Sequence, residues 1–453
     1  MAQMEQINHM EMARKIATHV ADLGGSTYFV GGYVRDRLAG RDNKDIDIEV
    51  HGVTPAQLGE ILDRLASKIT IGQSFGVFGL KGYSIDIAMP RKETARGPGH
   101  KDFDVIVDPH CGTKIAAIRR DFTINSIMEN VLTGQIIDHF GGQEDLKKGI
   151  IRHVNGQSFV EDPLRVLRGA QFAARFNFTV ADETVKLCKT MDLSQLPQER
   201  IMGELKKALL KAPHPSIFFQ TLRAMDQLST WFPELEALIG VPQPKAHHAE
   251  GDAWTHTMMV LDEAVNLRQY SSNPLGFMIT AITHDFGKAI CTKEVNGAIH
   301  AYQHETLGLP LINTFIRRLT GEKDLIKYVL NLSEHHMKPG VVAGAGSSVK
   351  STNKMFDASV DPEGLLAIAI ADGLGKLPKT PATTHQAFFQ DRLAIYRDYM
   401  SRPYVQGRDL IDAGLKPGEG FTEYLEFAHK LRLAGIDKTS ALKQVLAMAR
   451  KKK

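Results

Sequence analysis

Apolar and polar residues follow two different rhythms along the first third of the chain, and these rhythms predict a mixed α/β domain there. Residues 7–23 place apolar side chains at helical spacing, as in an amphipathic helix. Between Tyr28 and about Asp138, short apolar or alternating runs predict strands, and longer periodic segments predict helices. The predicted strands are 28–30, 46–50, 76–80, 83–89, 103–107 and 134–138, and the predicted helices are 54–67 and 113–130.

The pattern changes after Gly141 and Gly142, and from Pro163 onward almost every segment has the helical period. The length suggests about three domains. Breaks rich in glycine and proline fall at 97–99, 240–244, 338–346 and 416–420, and 91–100 is expected to be a mobile loop between two strands. We predict an elongated, multidomain protein with an α/β head that has a small mixed sheet (1–150), an all-α neck (151–240), a helical body (241–390) and a helical tail (391–453).

Composition limits the possible classes of protein. The 453 residues are 43% hydrophobic and 24% charged, as in soluble globular proteins. The net charge is only +3, so a nucleic acid would have to be bound by local basic patches. Three widely separated cysteines without a CxxC pair favour a reducing compartment and argue against a cysteine zinc site. With no signal-like start and no long apolar stretch, we expect a cytoplasmic protein that does not enter the membrane.

Two neighbouring segments of the head carry the most informative chemistry. Gly31 and Gly32 follow a strand-like run, where backbone N–H groups can approach an anion without obstruction. Asp45 and Asp47 alternate with isoleucines, so both carboxylates lie on one face of a strand. Each feature alone is typical of an ordinary turn or of the solvated face of a strand. Together they predict a phosphate cradle beside a divalent-cation site, as nucleotidyl transfer requires.

Two arginine-containing segments would complete a nucleotide pocket. In the predicted helix 113–130, Asp121 and Asn125 are four residues apart and follow Arg120, which suits a ribose and a triphosphate. A helix start with a surface ion pair is the alternative. Further on, Asp162 precedes a proline and the stripe of Arg165 and Arg168. Helix capping explains Asp162 equally well.

The body contains histidines and aspartates that together predict a metal centre. His284 and Asp285 are adjacent in an apolar helical setting, with His256 upstream. A single buried histidine is usually structural, but several His and Asp groups on predicted helices favour a mono- or dinuclear site. The other candidates are His304, His335 or the adjacent His336, and Asp372.

The head and neck segments, taken in order, resemble the bacterial class II tRNA nucleotidyltransferase and poly(A) polymerase family. The similar segments are GGYVRD, KDIDIEV, RRDFTINSI, EDPLRVLRGAQFAARF and QERIMGELKK, which span about 25–225. Residues 247–375 are similar to the HD phosphohydrolase domain of a subset of this family, notably the multifunctional CCA proteins. The segments 407–410 and 414–418 resemble the C-terminal region of the family.

The resemblance implies roles for individual residues. The expected triphosphate ligands are Gly31, Gly32 and Arg35, and the expected ligands of catalytic Mg²⁺ are Asp45 and Asp47, with Asp86 as a third carboxylate. The residues expected to grip phosphate and ribose are Arg120, Asp121 and Asn125, and those expected to read the base are Asp162 and Arg165, with Arg168 nearby. The expected HD ligands are His256, His284, Asp285, His304, His335 and Asp372, binding Ni²⁺, Mn²⁺ or Mg²⁺.

The resemblance therefore implies an enzyme that adds C and A to the 3′ end of tRNA, on its acceptor arm, from CTP and ATP by two-metal transfer. A second, HD phosphohydrolase activity is expected. Poly(A) polymerase is an alternative, although the tail has only four terminal basic residues. Enzymes that add only CC or only A, and an HD phosphohydrolase with an RNA-binding head, also remain open. The sequence leaves the oligomeric state undetermined.

Overall fold

The computed structural model describes residues 2–43, 45–72, 77–95, 103–246, 248–418 and 420–451. The chain forms two compact units. One comprises Met1–Ala208 with Ile217–Gln227, and the other comprises Leu209–Ser216 with Leu228–Lys453. The first unit contains the predicted head and most of the predicted neck, and the second contains the predicted body and tail.

The head is a small mixed α/β domain, as predicted. Its seven-stranded sheet has the order β3-β4-β5-β2-β1-β8-β9, and only β2 and β5 pair in parallel among these strands. The strands are β1 (Ser26–Phe29), β2 (Ile46–His51), β3 (Lys68–Gly72), β4 (Val77–Leu80), β5 (Ile85–Ala88), β6 (Arg91–Ala95), β7 (Phe103–Val107), β8 (Met128–Asn130) and β9 (Ile136–Ile137). The helices are α1 (Ala2–Asp22), α2 (Gly31–Leu38), α3 (Pro55–Leu65), α4 (Gly112–Ile118) and α5 (Gly142–Lys148).

The alternation of β2 places its isoleucines in the core of the head. Ile46 and Ile48 are fully buried and pack in one apolar cluster with residues of α1 and α3. Burial of one such side chain stabilises a fold by roughly 1.5–3 kcal/mol, so this cluster holds the strand firmly in the sheet. Asp47 lies between them and is only partly buried, because successive side chains of a strand face opposite sides.

Two predicted elements of the head differ from the structure. The helix predicted at 113–130 ends at Ile118; a 3₁₀ turn (Thr123–Asn125) and β8 follow. Strand pairing overrides the helical pattern there, because β8 pairs with β1. The segment 91–100 was predicted as a loop, but 91–95 is the strand β6, which pairs antiparallel with β7. The remainder of that segment, 96–100, lies outside the described residues.

The rest of the first unit is mainly helical. The helix α7 carries the predicted basic stripe and is amphipathic, with most of its apolar side chains buried, and Asn177 ends it in a left-handed conformation. The elements that follow the head are α6 (Gly156–Phe159), α7 (Leu164–Phe176), α8 (Asp182–Cys188), α9 (Gln198–Lys211) and α10 (Ser216–Ala224), with the short strands β10 (Ile150–Ile151) and β11 (Thr179–Val180).

Among its described residues, the second unit is helical apart from one small hairpin, β12 (Lys293–Val295) and β13 (Ala298–His300). No helix in the described part of the chain has the length and apolar character needed to cross a membrane. The helices are α11 (Leu228–Trp231), α12 (Pro233–Glu236), α13 (Ala253–Ala264), α14 (Pro274–Thr283), α15 (Lys288–Cys291), α16 (His304–Leu307), α17 (Leu309–Leu319), α18 (Lys323–His335), α19 (Lys338–Gly344), α20 (Val349–Ala358), α21 (Pro362–Leu374), α22 (Gln386–Ser401), α23 (Gly407–Asp412), α24 (Gly420–Leu433) and α25 (Lys438–Lys451).

The centre of the body is α14, which is apolar on all sides. Asn273 caps its first turn by accepting a hydrogen bond from Gly276 N, and Pro274 occupies the first helical position. The residues from Gly276 to Thr283 are all buried. A helix without a polar face must be surrounded by others, and α13, α18 and α21 pack against it. His284 and Asp285 follow directly at its end and are therefore held in the interior.

Candidate active site and candidate metal centre

The predicted head carboxylates lie on the two parallel strands. Asp47 on β2 is in register with Asp86 on β5, and Asp45 precedes β2. Burial and the negative charges of Asp86 and Asp45 raise the pKa of Asp47 to about 6, against the opposing charge of Arg120. A cation bound at this edge would favour the ionised form of Asp47, so the residues fit a divalent metal ion. The three carboxylates are not among the described groups whose ligand atoms all lie within 4.8 Å of one another.

Gly31 allows the beginning of α2 to approach these acids closely. Its φ is +65°, a conformation that favours glycine, and a Cβ at this position would lie 3.4 Å from both Asp47 Oδ2 and Arg120 Nη1. Val30 N also donates to the carbonyl of Asp47 at 3.0 Å. The glycine backbone, a carboxylate and a guanidinium therefore converge at one place. Such an arrangement can receive both a phosphate group and a cation.

Glu49, which the sequence reasoning missed, holds Arg120 in this place. Its side chain is fully buried, and it accepts hydrogen bonds from Arg120 Nη2 at 3.1 Å and Arg119 Nη2 at 3.4 Å. Burial opposes ionisation of Glu49, but the hydrogen bond from His51 and the arginine charges outweigh burial and lower its pKa to about 2. The acid-apolar alternation that revealed Asp45 and Asp47 continues to Glu49, and this signal would have been sufficient to find it.

A chain of hydrogen bonds joins four of the predicted nucleotide-binding residues. Arg35 donates to Asn125 Oδ1 at 2.7 Å and to the neighbouring Asp36 at 2.8 Å. Asn125 donates to Asp121 Oδ1 at 2.9 Å, and Arg168 donates to Asp121 Oδ2 at 2.8 Å. Asn125 and Asp121 therefore meet as predicted, but through a 3₁₀ turn rather than an α-helix. Arg35 is buried within this network, over the ring of Phe176 at 4.5 Å.

The predicted base-reading pair lies at the start of α7 and already has protein partners. Asp162 accepts hydrogen bonds from Leu164 N at 3.1 Å and from Arg200 Nη2 at 2.9 Å. Arg165 donates to the backbone carbonyls of Ser158 and Arg119, each at 2.7 Å. The contact with Leu164 N shows that Asp162 contributes to the first turn of α7. The side chain of Asp162 is 30% exposed, so one edge of its carboxylate is accessible to solvent.

In the body, four helices and the segment that follows α14 bring histidines and aspartates into one buried cluster. His256 Nε2 lies 3.0 Å from Asp372 Oδ1 and 3.5 Å from Asp285 Oδ2. His304 Nε2 lies 3.1 Å from Asp285 Oδ1 and 3.2 Å from His336 Nε2. Among the described residues, three groups have ligand atoms within 4.8 Å of one another: His256, His284 and Asp372; Asp285, His304 and His336; and His248, Glu250 and His256. In the third group, Glu250 Oε1 already contacts the Nδ1 atoms of both histidines, so the first two groups are the candidate ion sites. The geometry offers two adjacent places for metal ions.

Of the two adjacent histidines at the end of α18, His336 belongs to this cluster and the expected ligand His335 does not. None of the candidate metal-binding groups among the described residues contains His335, although it is 6% exposed and therefore also buried. The sequence reasoning also missed Lys288 and Glu250, which contact Asp285 and His256 of the cluster. Lys288 Nζ lies 2.6 Å from Asp285 Oδ2, and its position three residues after Asp285 could have indicated this contact.

All four clustered histidines present the same ring nitrogen to the cluster. The Nδ1 atoms of His284, His304 and His336 each lie 2.6–3.0 Å from the backbone carbonyl three residues earlier. His256 Nδ1 lies 3.2 Å from the carbonyl of Gly375. Since a carbonyl only accepts, each Nδ1 carries the hydrogen, and in a neutral ring Nε2 keeps its lone pair for a metal ion.

The electrostatics of the cluster also fit a cation. The buried atoms His256 Nε2, His284 Nε2 and Asp285 Oδ2 make no hydrogen bond of regular geometry among the described residues, although His256 Nε2 and Asp285 Oδ2 each lie within ion-pair distance of an opposite charge, Asp372 and Lys288. Burial opposes protonation of His256, but Asp372, Glu250 and Asp285 outweigh burial and raise its pKa to about 9. A metal ion would replace that proton between the histidine and the carboxylates. Buried ligand atoms without a well-formed hydrogen bond are costly in the absence of such an ion, so the residues present fit a metal.

Two cavities meet at this cluster. One, of about 520 Å³, is lined mainly by apolar residues of α19, α21 and α22, including Val341 and Phe389. The other, of about 210 Å³, is lined by polar groups that include Lys288 and His304. Asp372 and Lys376 line both cavities. The cluster is thus accessible from an apolar side and from a polar side.

Comparisons with known proteins agree with the head and the neck. Residues 27–152 match the poly A polymerase head domain, and residues 177–239 match the probable RNA and SrmB-binding site of polymerase A. The fold is similar to that of the Bacillus stearothermophilus CCA-adding enzyme in complex with CTP (TM-score 0.66, 21% identity, 98% of each chain). It is also similar to the Thermotoga maritima CCA-adding enzyme complexed with tRNA (TM-score 0.64, 21% identity, 97% of this chain and 95% of that one).

The fold of the head is that of a nucleotidyltransferase with a poly A polymerase head domain. Over 415 residues, the chain is 37% identical to the multifunctional CCA protein of Nitrosococcus oceani. The aligned region covers 88% of this chain and 95% of that protein. The chain belongs to the multifunctional CCA protein family.

Proposed function

We propose that this protein adds C and A to the 3′ end of tRNA, using CTP and ATP and no nucleic-acid template. The observation that carries the proposal is the convergence of Asp47, the Gly31 backbone and Arg120 at one edge of the head sheet. Membership of the multifunctional CCA protein family supports it. In the reaction, the 3′ hydroxyl oxygen attacks the α-phosphorus of the nucleotide, and pyrophosphate leaves.

The residues of the head have separate roles in this proposal. Asp45 and Asp47, with Asp86 beside them, hold Mg²⁺, which supplies charge stabilisation and a more acidic 3′ hydroxyl. The backbones of Gly31 and Gly32, together with Arg120, hold the triphosphate. Arg35 lies near the triphosphate and holds Asn125 through a hydrogen bond. Asn125 in turn donates to Asp121, which accepts from Arg168. Such fixed positions and charges supply most of the acceleration in phosphoryl-transfer chemistry.

Asp162 and Arg165 are proposed to select the base. Cytosine and adenine share an exocyclic amino donor beside a ring-nitrogen acceptor, which a carboxylate and a guanidinium match. Uracil and guanine present a carbonyl oxygen and an N–H at these positions. The carboxylate cannot donate to the carbonyl oxygen and the guanidinium cannot accept from the N–H, so these bases are not bound. For this role Asp162 must exchange its contact with Arg200 for one with the base, and its open edge permits that exchange.

A direct assay separates the candidate head activities. tRNA that lacks its terminal CCA is incubated with labelled CTP, labelled ATP, or both. Complete CCA addition requires both nucleotides and stops after three residues. Long adenosine tails would identify a poly(A) polymerase. Incorporation of C alone or of A alone would identify an enzyme that adds only part of CCA. If no nucleotide is incorporated, only the proposed hydrolase activity of the body remains.

We propose a second activity, metal-dependent hydrolysis of phosphate esters, at the body cluster. The four Nε2 atoms directed at two aspartates carry this proposal, and Ni²⁺, Mn²⁺ or Mg²⁺ are the candidate ions. The metal would supply a bound water with a pKa near neutrality. Lys288 and Lys376 attract the phosphate on the polar side, and the apolar cavity holds the organic group of the ester.

This second proposal is tested by assaying the full chain on 2′,3′-cyclic and 2′-phosphate nucleotides with each metal in turn. Hydrolysis that depends on the added metal supports it. If none of the three metals gives hydrolysis, the cluster has a structural role only.

A further inference from the structure

Glu250 is a buried carboxylate in the loop that precedes α13, and it is not one of the expected HD ligands. Its side chain is 1% exposed. Glu250 Oε1 lies 3.2 Å from His256 Nδ1 and 2.7 Å from His248 Nδ1. Glu250 Oε2 accepts a hydrogen bond from Leu377 N at 2.8 Å. Both oxygens are therefore used, and each binds a different part of the body.

The surroundings of His256 differ from those of the other clustered histidines. His284, His304 and His336 each hold their ring through a carbonyl of their own local turn, three residues earlier. His256 instead depends on two groups outside its own turn, Glu250 in the preceding loop and the carbonyl of Gly375. In the described part of the chain, it is the only one of the four whose Nδ1 contacts a side-chain carboxylate other than that of an adjacent residue.

We propose that Glu250 is a positioning residue for the metal centre, which keeps His256 Nε2 directed at Asp372 and Asp285. This inference rests on the proposed metal site of the body. Through Leu377, Glu250 also holds the segment just beyond α21, the helix that carries Asp372. One carboxylate thus fixes two ligands that come from different helices.

The physical effect has two parts. A negatively charged acceptor on Nδ1 fixes the tautomer and makes Nε2 a stronger base toward the metal. The contact also prevents the imidazole ring from rotating, so the side chain loses less conformational entropy when the ion binds. Loss of such an outer partner typically weakens metal binding by about 10- to 100-fold.

The test uses the full chain after removal of bound metals by a chelator. Co²⁺ is titrated into the unaltered protein, Glu250→Gln and His248→Gln, and its visible absorption reports both the affinity and the ligand geometry. Ni²⁺ affinity is measured in parallel by competition with a coloured chelator. His248→Gln is the matched control, because it removes the other partner of Glu250 Oε1 and leaves the contact with His256 intact.

Glu250→Gln is expected to bind Co²⁺ and Ni²⁺ about 10- to 100-fold more weakly, with the same number of ions and a changed Co²⁺ spectrum. His248→Gln is expected to keep the affinity of the unaltered protein. Equal weakening in both variants would overturn the proposal, because loop packing would then be the cause. The loss of one bound ion in Glu250→Gln would also overturn it, because Glu250 would then be a ligand itself.

Thermal unfolding in the presence of chelator shows whether each variant is folded. If Glu250→Gln does not fold, Glu250→Asp is used instead, because it retains the negative charge on a shorter side chain. Glu250→Asp is expected to fold and to bind the metals with intermediate affinity. Unaltered affinity in whichever variant folds would overturn the role of Glu250. If the unaltered chain binds neither metal, the proposed metal centre itself fails, and the positioning role fails with it.

Discussion

The two candidate sites of this protein are assembled in opposite ways. The acids of the head come from adjacent parallel strands and lie at a partly exposed edge, where Asp45 and Asp86 face solvent. The ligands of the body come from four helices and the end of α14, and His256, His284 and Asp285 are almost completely buried. An open edge suits a large substrate such as an RNA end. A buried cluster reached through cavities suits a small phosphate ester.

The difference also affects how charge is tolerated. In the head, repulsion between carboxylates is relieved by Arg120, which Glu49 holds in place. In the body, Asp285 lies among four histidines and Asp372 contacts His256, and burial strengthens the attraction between these groups. We therefore expect a metal ion to enter the head together with the nucleotide, and a metal ion to bind in the body on its own.

The largest expected effect is the loss of nucleotide addition when the head acids are removed. Asp47→Ala and Asp45→Ala are each expected to reduce addition of labelled CTP and ATP by about 100-fold or more, because a metal ion contributes several kcal/mol to the transition state. tRNA binding is expected to persist, since basic surfaces elsewhere bind the backbone. Asp42→Ala, an exposed neighbour, is the control. Retention of more than a few percent of the activity in both variants would remove these aspartates from the mechanism.

The reciprocal experiment tests the independence of the body. Replacement of His284 and Asp285 by alanine is expected to abolish metal-dependent hydrolysis, because both residues lie at the centre of the cluster. Nucleotide addition by the head is expected to remain, and Asp47→Ala should conversely retain hydrolysis. Loss of both activities in either protein, measured by parallel assays, would show that the sites are coupled or that folding has failed.

A smaller effect is expected at the base-reading pair. Asp162→Ala and Arg165→Ala should slow incorporation of CTP and ATP and relax discrimination against UTP and GTP by roughly 5- to 150-fold, since a good bidentate contact is worth about 1–3 kcal/mol. Competition assays with all four nucleotides measure this ratio. Arg200→Ala separates base reading from helix stabilisation, because it frees Asp162 without removing it. Unchanged rate and preference in either alanine variant would favour the helix-capping interpretation.

The smallest expected effect is on stability and concerns the body alone. A ligand present at 100 times its Kd stabilises the folded state by about 2.7 kcal/mol. Removal of metal by a chelator should therefore lower the unfolding temperature of the body by several degrees. The apolar core of the head does not depend on an ion. Calorimetry that shows the same shift for the unaltered protein and for the His284 and Asp285 variant would contradict metal binding at this cluster.

Much of this protein could be predicted from the sequence where function and folding use the same local pattern. The alternation from Asp45 to Glu49 specifies a strand with acids on one face and β-branched residues on the other, and the structure confirms the small mixed sheet. The helical character of the chain after Pro163 is equally local, because the 3.6-residue period repeats from segment to segment. These features depend on side chains close together in sequence.

Only the tertiary structure decided the remaining points. Both His335 and His336 are buried, so hydropathy does not distinguish them, and the orientation of the end of α18 determines that His336 faces the cluster. The predicted helix beyond Ile118 gives way to β8 because pairing with β1 outweighs local propensity. Glu250 reaches His256 from a loop without any motif. Its other oxygen contacts Leu377, 127 positions along the chain, and no local period records such a contact.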